Sequence, residues 1–514
     1  MNTKKKKSKR LIFSRFTIIA LSIILQAVAI WVTFYELSKL VWWSSIIGNI
    51  LGAILLLYII NRDNAAVYKL PWVLVCLLFP FAGCMCYLTF GNVKLSRKQM
   101  RKYRAIFGEH HEEYYNQKSV VKALTDETPD KAGTFKYLRN ATSLPVFSDS
   151  SVTYLKTGEE YYTELCKALS HAEKYIFLEY FIIEEGVMWN GIHEILTKKI
   201  LSGVKVYLMY DDIGSVFKVS SGFCKKLREE GIDARKFNRF IPVVSICHNN
   251  RDHRKIVVID GKTAFTGGVN IADEYINVTH PLGRWLDSGI KVEGRAVDSF
   301  VRLFVQLYNM SGKEINENDF IERNHGDYSG EGFCMPFGDS PAPVTYEHIA
   351  EKTFMNVIYG AKKYIYFCAP YFIVDNDLSD ALINAARRGV DVRLIIPQVP
   401  DKKTVYVLTK YGCSRLLAAG VKIYFYRDGF VHSKTMVCDG EIAFAGTVNL
   451  DFRSLVHHFE CGVLFTNKNA ITAVYNDFNT LFEEQCIVAE KKTLKLNPLE
   501  TAIKWAATPF APLV

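Results

Sequence analysis

The chain has 514 residues, too many for one ordinary domain and enough for about two to four. Hydrophobic residues make up 49% and charged residues 23%, which excludes a disordered chain and suits a globular protein with a membrane-embedded part. The net charge is +10, yet two clusters near the N-terminus hold twelve basic residues and no acidic ones, so the remainder is near neutral and no nucleic-acid surface is expected.

Three apolar stretches fill the first ninety residues: Phe16 to Tyr35, Val41 to Ile60 and Leu70 to Phe90. The first two have the roughly 20 residues a helix needs to cross a bilayer, and they predict a transmembrane hairpin. Pro71, Pro80 and Gly83 interrupt the third, which reads as a re-entrant or interfacial segment. Lys4 to Lys7, Lys9 and Arg10 precede the first stretch, and Lys94, Arg97, Lys98, Arg101, Lys102 and Arg104 follow the third. Positive flanks stay cytoplasmic, so an even number of crossings is expected, with the bulk of the chain in the cytoplasm of a multi-pass cell-membrane protein. Such a basic collar also suits anionic lipid headgroups.

The membrane anchor then covers 1–105 and a linker 106–134. His110 and His111 in that linker are adjacent, without the i, i+4 spacing that converges on one ion, so they read as a solvated face. Beyond Phe135 the sequence repeats itself. Ala172–Ile182 (AEKYIFLEYFI) matches Ala361–Ile373 (AKKYIYFCAPYFI), Gly203–Tyr210 matches Gly389–Ile396, and Gly231–Asn238 matches Gly420–Arg427, in the same order. These short runs of Val, Ile, Tyr and Phe alternate with helix-length stretches such as Glu159–Ala172 and Asn376–Gly389. That alternation predicts an α/β fold of two homologous halves, 135–335 and 336–490, with mostly parallel sheets and helices on their faces. The tail, 491–514, carries no legible chemistry. Twelve cysteines occur without a CxxC pair, which fits reduced thiols, and Cys438 and Cys461 lie in apolar runs expected to be core.

Each half contains one copy of a further pattern: HRKIVVIDG from His253 and HSKTMVCDG from His432. In both, Lys follows His by two residues, Asp by seven and Asn by seventeen, which gives His253, Lys255, Asp260 and Asn270 against His432, Lys434, Asp439 and Asn449. On a strand, positions i and i+2 share a face, so each His and Lys would meet the same group. The odd offset sends Asp260 and Asp439 to the opposite face or the next turn, where they read as structural charge partners within the candidate catalytic set. Lysine and asparagine donors facing one another suit a phosphate diester, whose charge needs donors fixed around its oxygens.

These paired motifs, with Leu178–Ile183, Gly283–Gly294, Ala369–Asp377 and Val448–Glu460, resemble the phospholipase D superfamily and, within it, the bacterial cardiolipin synthases. The resemblance implies one site shared by both halves. One imidazole, expected to be His253, attacks phosphorus to form a covalent phosphatidyl-histidine, and the other, His432, acts as acid and later as base. Asp287 and Glu460 match the acidic residues that orient each imidazole. The reaction implied joins two phosphatidylglycerols into cardiolipin and glycerol, with no cofactor and no metal; a phospholipase D hydrolase or a phosphatidyltransferase to another alcohol would use the same motifs, and a non-catalytic lipid-binding protein is the remote alternative. One departure stands out: the family commonly has Leu-Asn where this chain has His457 and His458.

Overall fold

The structure, a computed structural model, describes residues 28, 32, 35, 42–62, 66–90, 101, 105–107, 117–238, 250–342, 344, 345 and 347–513. The chain divides into two compact units, an N-terminal one that reaches Lys94 and a larger one holding Leu95–Arg239 and Asn250–Val514.

The N-terminal unit contains helices Trp42–Ile60, Ala66–Leu78 and Pro80–Phe90. The third apolar stretch is therefore two helices parted at Phe79, because Pro80 has no N–H to continue the ladder and instead starts the next helix. Gly83 lets those two helices meet closely, since a Cβ there would lie 2.5 Å from the Val75 carbonyl oxygen. Ile59, Cys76, Cys84 and Tyr87 form a small buried cluster. Among the described residues no helix is long and apolar enough to cross a membrane, so the expected hairpin is not established. Nearly all of Phe16–Tyr35, most of both basic clusters, and His110 and His111 lie outside the described residues.

In the larger unit the first half supplies β1 (Phe147–Leu155), β2 (Tyr175–Tyr180), β3 (Lys205–Asp211), β4 (Asp233–Phe237), β5 (Arg251–Asp252), β6 (Ile256–Ile259), β7 (Thr263–Gly267), β8 (Arg284–Leu286) and β9 (Gly289–Gly294). The second supplies β10 (Ser329–Asp339), β11 (Tyr364–Cys368), β12 (Phe372–Ile373), β13 (Asp391–Pro397), β14 (Lys422–Tyr426) and β15 (Gly429–Val431). It continues with β16 (Thr435–Cys438), β17 (Ile442–Gly446), β18 (Leu450–Asp451), β19 (His458–Phe465) and β20 (Cys486–Val488). One sheet runs β4-β3-β2-β6-β7-β9-β1-β10-β19-β17-β16-β11-β13-β14-β20. Apart from β20 this order is a palindrome, so the halves meet in antiparallel fashion at β1 and β10 about an approximate twofold axis.

The sheet is mixed, which corrects the expectation of mostly parallel pairing. Parallel pairs occupy the outer arms, β2-β3-β4 and β11-β13-β14, where a helix returns the chain after each strand. Between the arms the strands are antiparallel, and where neighbours are joined directly by a turn the connection is too short to cross over. The clearest cases are the Asp260-Gly261 and Asp439-Gly440 turns, with positive φ at all four residues: 55° and 69°, then 56° and 73°. Lys262 N donates to Ile259 O and Glu441 N to Cys438 O, both at 3.0 Å, which closes type I′ hairpins.

Both faces of the sheet are covered. In β2, Phe177 faces one core, stacked 4.1 Å from Phe304 of the nearly fully buried helix Val297–Met310, while Ile176 and Leu178 face the other. Double burial explains why its sequence, YIFLEY, shows no polar alternation. Cys438 and Cys461 are fully buried core thiols, as expected, and no described cysteine is disulfide-bonded.

Candidate active site

The two His-x-Lys segments lie in extended joints just before β6 and β16, not within those strands. Each joint follows a short strand that pairs in parallel with the opposite half: β5 with the start of β19, and β15 with β8. The backbone N of His253 donates to Phe459 O at 3.0 Å, and that of His432 to Leu286 O at 2.7 Å. The next residue in each opposite segment is the carboxylate. His253 Nδ1–H donates to Glu460 at 2.9 and 3.0 Å, and His432 Nδ1–H to Asp287 Oδ2 at 2.7 Å. Each imidazole is thus held, by main chain and ring together, on the half it does not belong to. Neither half alone contains a complete histidine–carboxylate pair.

Burial dominates the electrostatics. It pushes both His253 and His432 well below the usual histidine range, reinforced for His253 by Lys255 and then Lys434, and for His432 by Lys434 and then Lys255. Both shifts favour neutral rings, and a carboxylate facing Nδ1 favours the tautomer with its proton there, which makes Nε2 the basic nitrogen. Burial also raises Asp287 to about 7 and lowers Lys255 to about 8 and Lys434 to about 7. A bound phosphodiester would bring in the negative charge that favours ammonium and imidazolium forms. The Lys255 and Lys434 ammonium groups donate to the carbonyl of their own motif histidine, at 2.6 Å for Lys255.

Of the two expected places, opposite face or next turn, the duplicated Asp260 and Asp439 take the turn. Asp260 accepts from the amides of Glu173, Lys174 and Tyr175 at 2.7, 2.7 and 2.9 Å. Asp439 accepts from those of Lys362, Lys363 and Tyr364 at 2.8, 2.8 and 2.9 Å and forms an ion pair with Lys131 at 3.3 Å. Burial opposes the Asp439 charge, but the three amides and Lys131 hold it below the usual carboxylate range. "Charge partner" thus fits Asp439, whereas Asp260 chiefly anchors backbone at the entrance to β2. Asp260→Ala and Asp439→Ala should each cost about 2–4 kcal/mol, three amide bonds at roughly 1 kcal/mol apiece, with turnover per folded molecule kept. Thermal unfolding beside activity checks this.

Asn270 has both amide groups engaged: Oδ1 accepts from Ile182 N at 3.0 Å, and Nδ2 donates to the Tyr275 hydroxyl at 2.8 Å. Tyr275 in turn packs edge-on to the His432 ring, 5.3 Å between centroids. Asn449 Oδ1 is buried with no hydrogen-bond partner. The duplicated asparagines are therefore not equivalent in their surroundings.

Thr447, Ser454, Ser288, Ser433 and Gly268, none of them singled out by sequence reasoning, complete the surroundings of the two carboxylates. Glu460 accepts from the hydroxyls of Thr447 and of Ser454, the latter at 2.6 Å, while Asp287 accepts from the amide of Ser288 at 2.8 Å. Gly268, the counterpart of Thr447, leaves room for Asp287: a Cβ there would lie 2.0 Å from Asp287 Oδ1. Ser288 and Ser433 share a 2.5 Å hydrogen bond across the halves. His458 is buried 5.3 Å from the His253 ring, pushed down to about 3 chiefly by burial. A comparison of the two repeats, GGVN against GTVN, was the available signal for the Gly268/Thr447 difference.

A family model described as "Cardiolipin synthase, PLD-like domain" matches residues 165–292 and 354–482, and one described as "Phospholipase_D-nuclease N-terminal" matches 49–92. The chain is 36% identical to an uncharacterized protein of Streptococcus mutans, over 87% of this chain and 96% of that one. It is 34% identical to a cardiolipin synthase of Alkalihalophilus pseudofirmus (80% and 81%) and 32% identical to cardiolipin synthase 2 of Bacillus cereus (81% and 80%). Among solved structures, phosphatidylserine synthase of Haemophilus influenzae shares the fold, with a TM-score of 0.57 at 15% identity, covering 74% of this chain and 97% of that one.

Proposed function

We propose that this chain, which belongs to the cardiolipin synthase family with phospholipase D-like domains, transfers a phosphatidyl group from one phosphatidylglycerol to another, giving cardiolipin and glycerol. The observation that supports this reading is the crossed pair of histidine–carboxylate bonds, each tying an imidazole to the opposite half, with Lys255 and Lys434 both acting electrostatically on each ring. Nε2 of His253 attacks phosphorus; the P–O bond to glycerol breaks; the departing oxygen takes a proton from Nε2 of His432, protonated once the diester is bound. Neutral His432 then removes the proton from a hydroxyl of the second phosphatidylglycerol, whose oxygen displaces His253. Lys255 and Lys434 supply positive charge to the phosphoryl oxygens as the transition state forms, so Lys255→Ala and Lys434→Ala should each slow turnover about 10²–10³-fold.

Both lipids are confined to a bilayer, and a tether raises their effective concentration at the site. The N-terminal segment through about residue 105 is assigned as a cell-membrane anchor, with the 135–335 and 336–490 halves on the cytoplasmic side and 106–134 as linker. The apolar runs and flanking basic residues support this.

The test is the product spectrum of purified protein in vesicles of phosphatidylglycerol alone, with chelator present. Cardiolipin with equimolar glycerol is expected. Phosphatidic acid instead would keep the histidine chemistry but assign water as acceptor, and absence of turnover would overturn the reading.

A further inference from the structure

The opposite segment that orients each histidine is Trp285-Leu286-Asp287 for His432 and His458-Phe459-Glu460 for His253. An indole therefore lies near one imidazole, with ring centroids 5.7 Å apart, where a third imidazole lies near the other at 5.3 Å. His458 is 92% buried, and neither of its ring nitrogens has a hydrogen-bond partner. Its Nδ1 lies 3.7 Å from Glu460 Oε1, beyond a hydrogen bond. A buried imidazole with no hydrogen bond at either nitrogen, its Nδ1 meeting only a carboxylate at ion-pair distance, is unfavourable in the absence of a further partner. Ligand atoms of His253, His458 and Glu460 all lie within 4.8 Å of one another. Tetrahedral zinc with nitrogen and oxygen ligands at about 2.0–2.2 Å requires separations near 3.4 Å. The 2.9 Å and 3.7 Å distances from Glu460 to the two histidines bracket that value.

We propose that His253, His458 and Glu460 bind a divalent transition-metal ion, with zinc the best match, and that the bound ion switches the enzyme off. Two nitrogen ligands select such an ion over magnesium, which prefers oxygen. The switch follows from the His253 tautomer. Metal takes the Nδ1 lone pair, the Nδ1 proton departs to water, and Nε2 takes up a proton from water, so the ring stays neutral. Nε2 then has no lone pair with which to attack phosphorus. Thr447 and Ser454 continue to donate to Glu460 and steady it as a ligand. The effect on turnover rests on the proposed role of His253; the metal site itself does not.

Cobalt(II), which reports four-coordination by its visible absorption, is titrated into the full-length protein in detergent, followed by zinc. One equivalent of cobalt should develop low-coordinate absorption that zinc abolishes and magnesium does not. Stoichiometric zinc should lower phosphatidylglycerol turnover at least about tenfold, reversed by chelator. His458→Asn, which places the residue common in the family at this position, should keep basal turnover and lose at least about 100-fold in metal affinity. His458→Gln serves if the first variant fails to fold. Absence of low-coordinate cobalt in the unmodified protein, or equal absorption in both variants, overturns the site. Zinc bound at full turnover overturns the switch. Should the protein not turn over phosphatidylglycerol at all, the cobalt measurement still decides the site and the failure falls on the proposed reaction.

Discussion

Replacing either His253 or His432 by Ala should lower phosphatidyl transfer by at least about 10³-fold, yet leave different traces on the way. With His432→Ala the attacking imidazole is intact, so phosphate-labelled phosphatidylglycerol should label His253 slowly and the label should persist, because nothing remains to activate the acceptor hydroxyl. With His253→Ala no covalent label should form. Stability should differ too. Loss of His253 leaves Glu460 with the Thr447 and Ser454 hydroxyls, whereas loss of His432 leaves Asp287 with the Ser288 amide. His432→Ala should therefore be the less stable variant, by about 1–3 kcal/mol. Quenched-flow labelling and denaturant titration measure both. A label on His432 in the His253→Ala protein would reverse the assignment of attacking group, and near-normal turnover in either variant would end the shared-site mechanism.

The sequence carried the duplication and the His-x-Lys pairs, because each is a local pattern written twice, while Asp287 and Glu460 came through the family resemblance. It did not carry the crossing of partners. His253 and Glu460 are 207 positions apart, and only the parallel pairing of β5 with β19 brings them together. Sheet direction is hidden for a related reason: strand-helix alternation identifies the outer arms, while central pairs such as β2-β6 and β11-β16 join strands far apart in the chain and only β6-β7 and β16-β17 are set by short turns. Asp260-Gly261 and Asp439-Gly440 announce those turns plainly, since Asp-Gly between apolar runs is a strong hairpin signal. His458 was visible as a departure from the family pattern, but the lack of a hydrogen bond at its ring nitrogens depends on burial that no local pattern states.

The crossing yields the second large effect. Asp287→Asn and Glu460→Gln preserve shape but replace an acceptor by a group that can donate to Nδ1, which puts the proton on Nε2 or leaves an imidazolium without its counter-charge. A loss on the order of 10²–10⁴-fold in turnover is expected from either, by analogy with the carboxylate of a serine-protease triad. What distinguishes crossed from within-half pairing is which step each variant stops. Asp287 belongs to the half that contains His253, yet its bond is to His432. Asp287→Asn should therefore behave as His432→Ala does, accumulating label on His253. Glu460→Gln should resemble His253→Ala and form little label, since the Nε2 lone pair of the attacking ring is then no longer held open. If the two outcomes were exchanged, each carboxylate would be serving the histidine of its own half, and the crossed geometry would not describe the working enzyme.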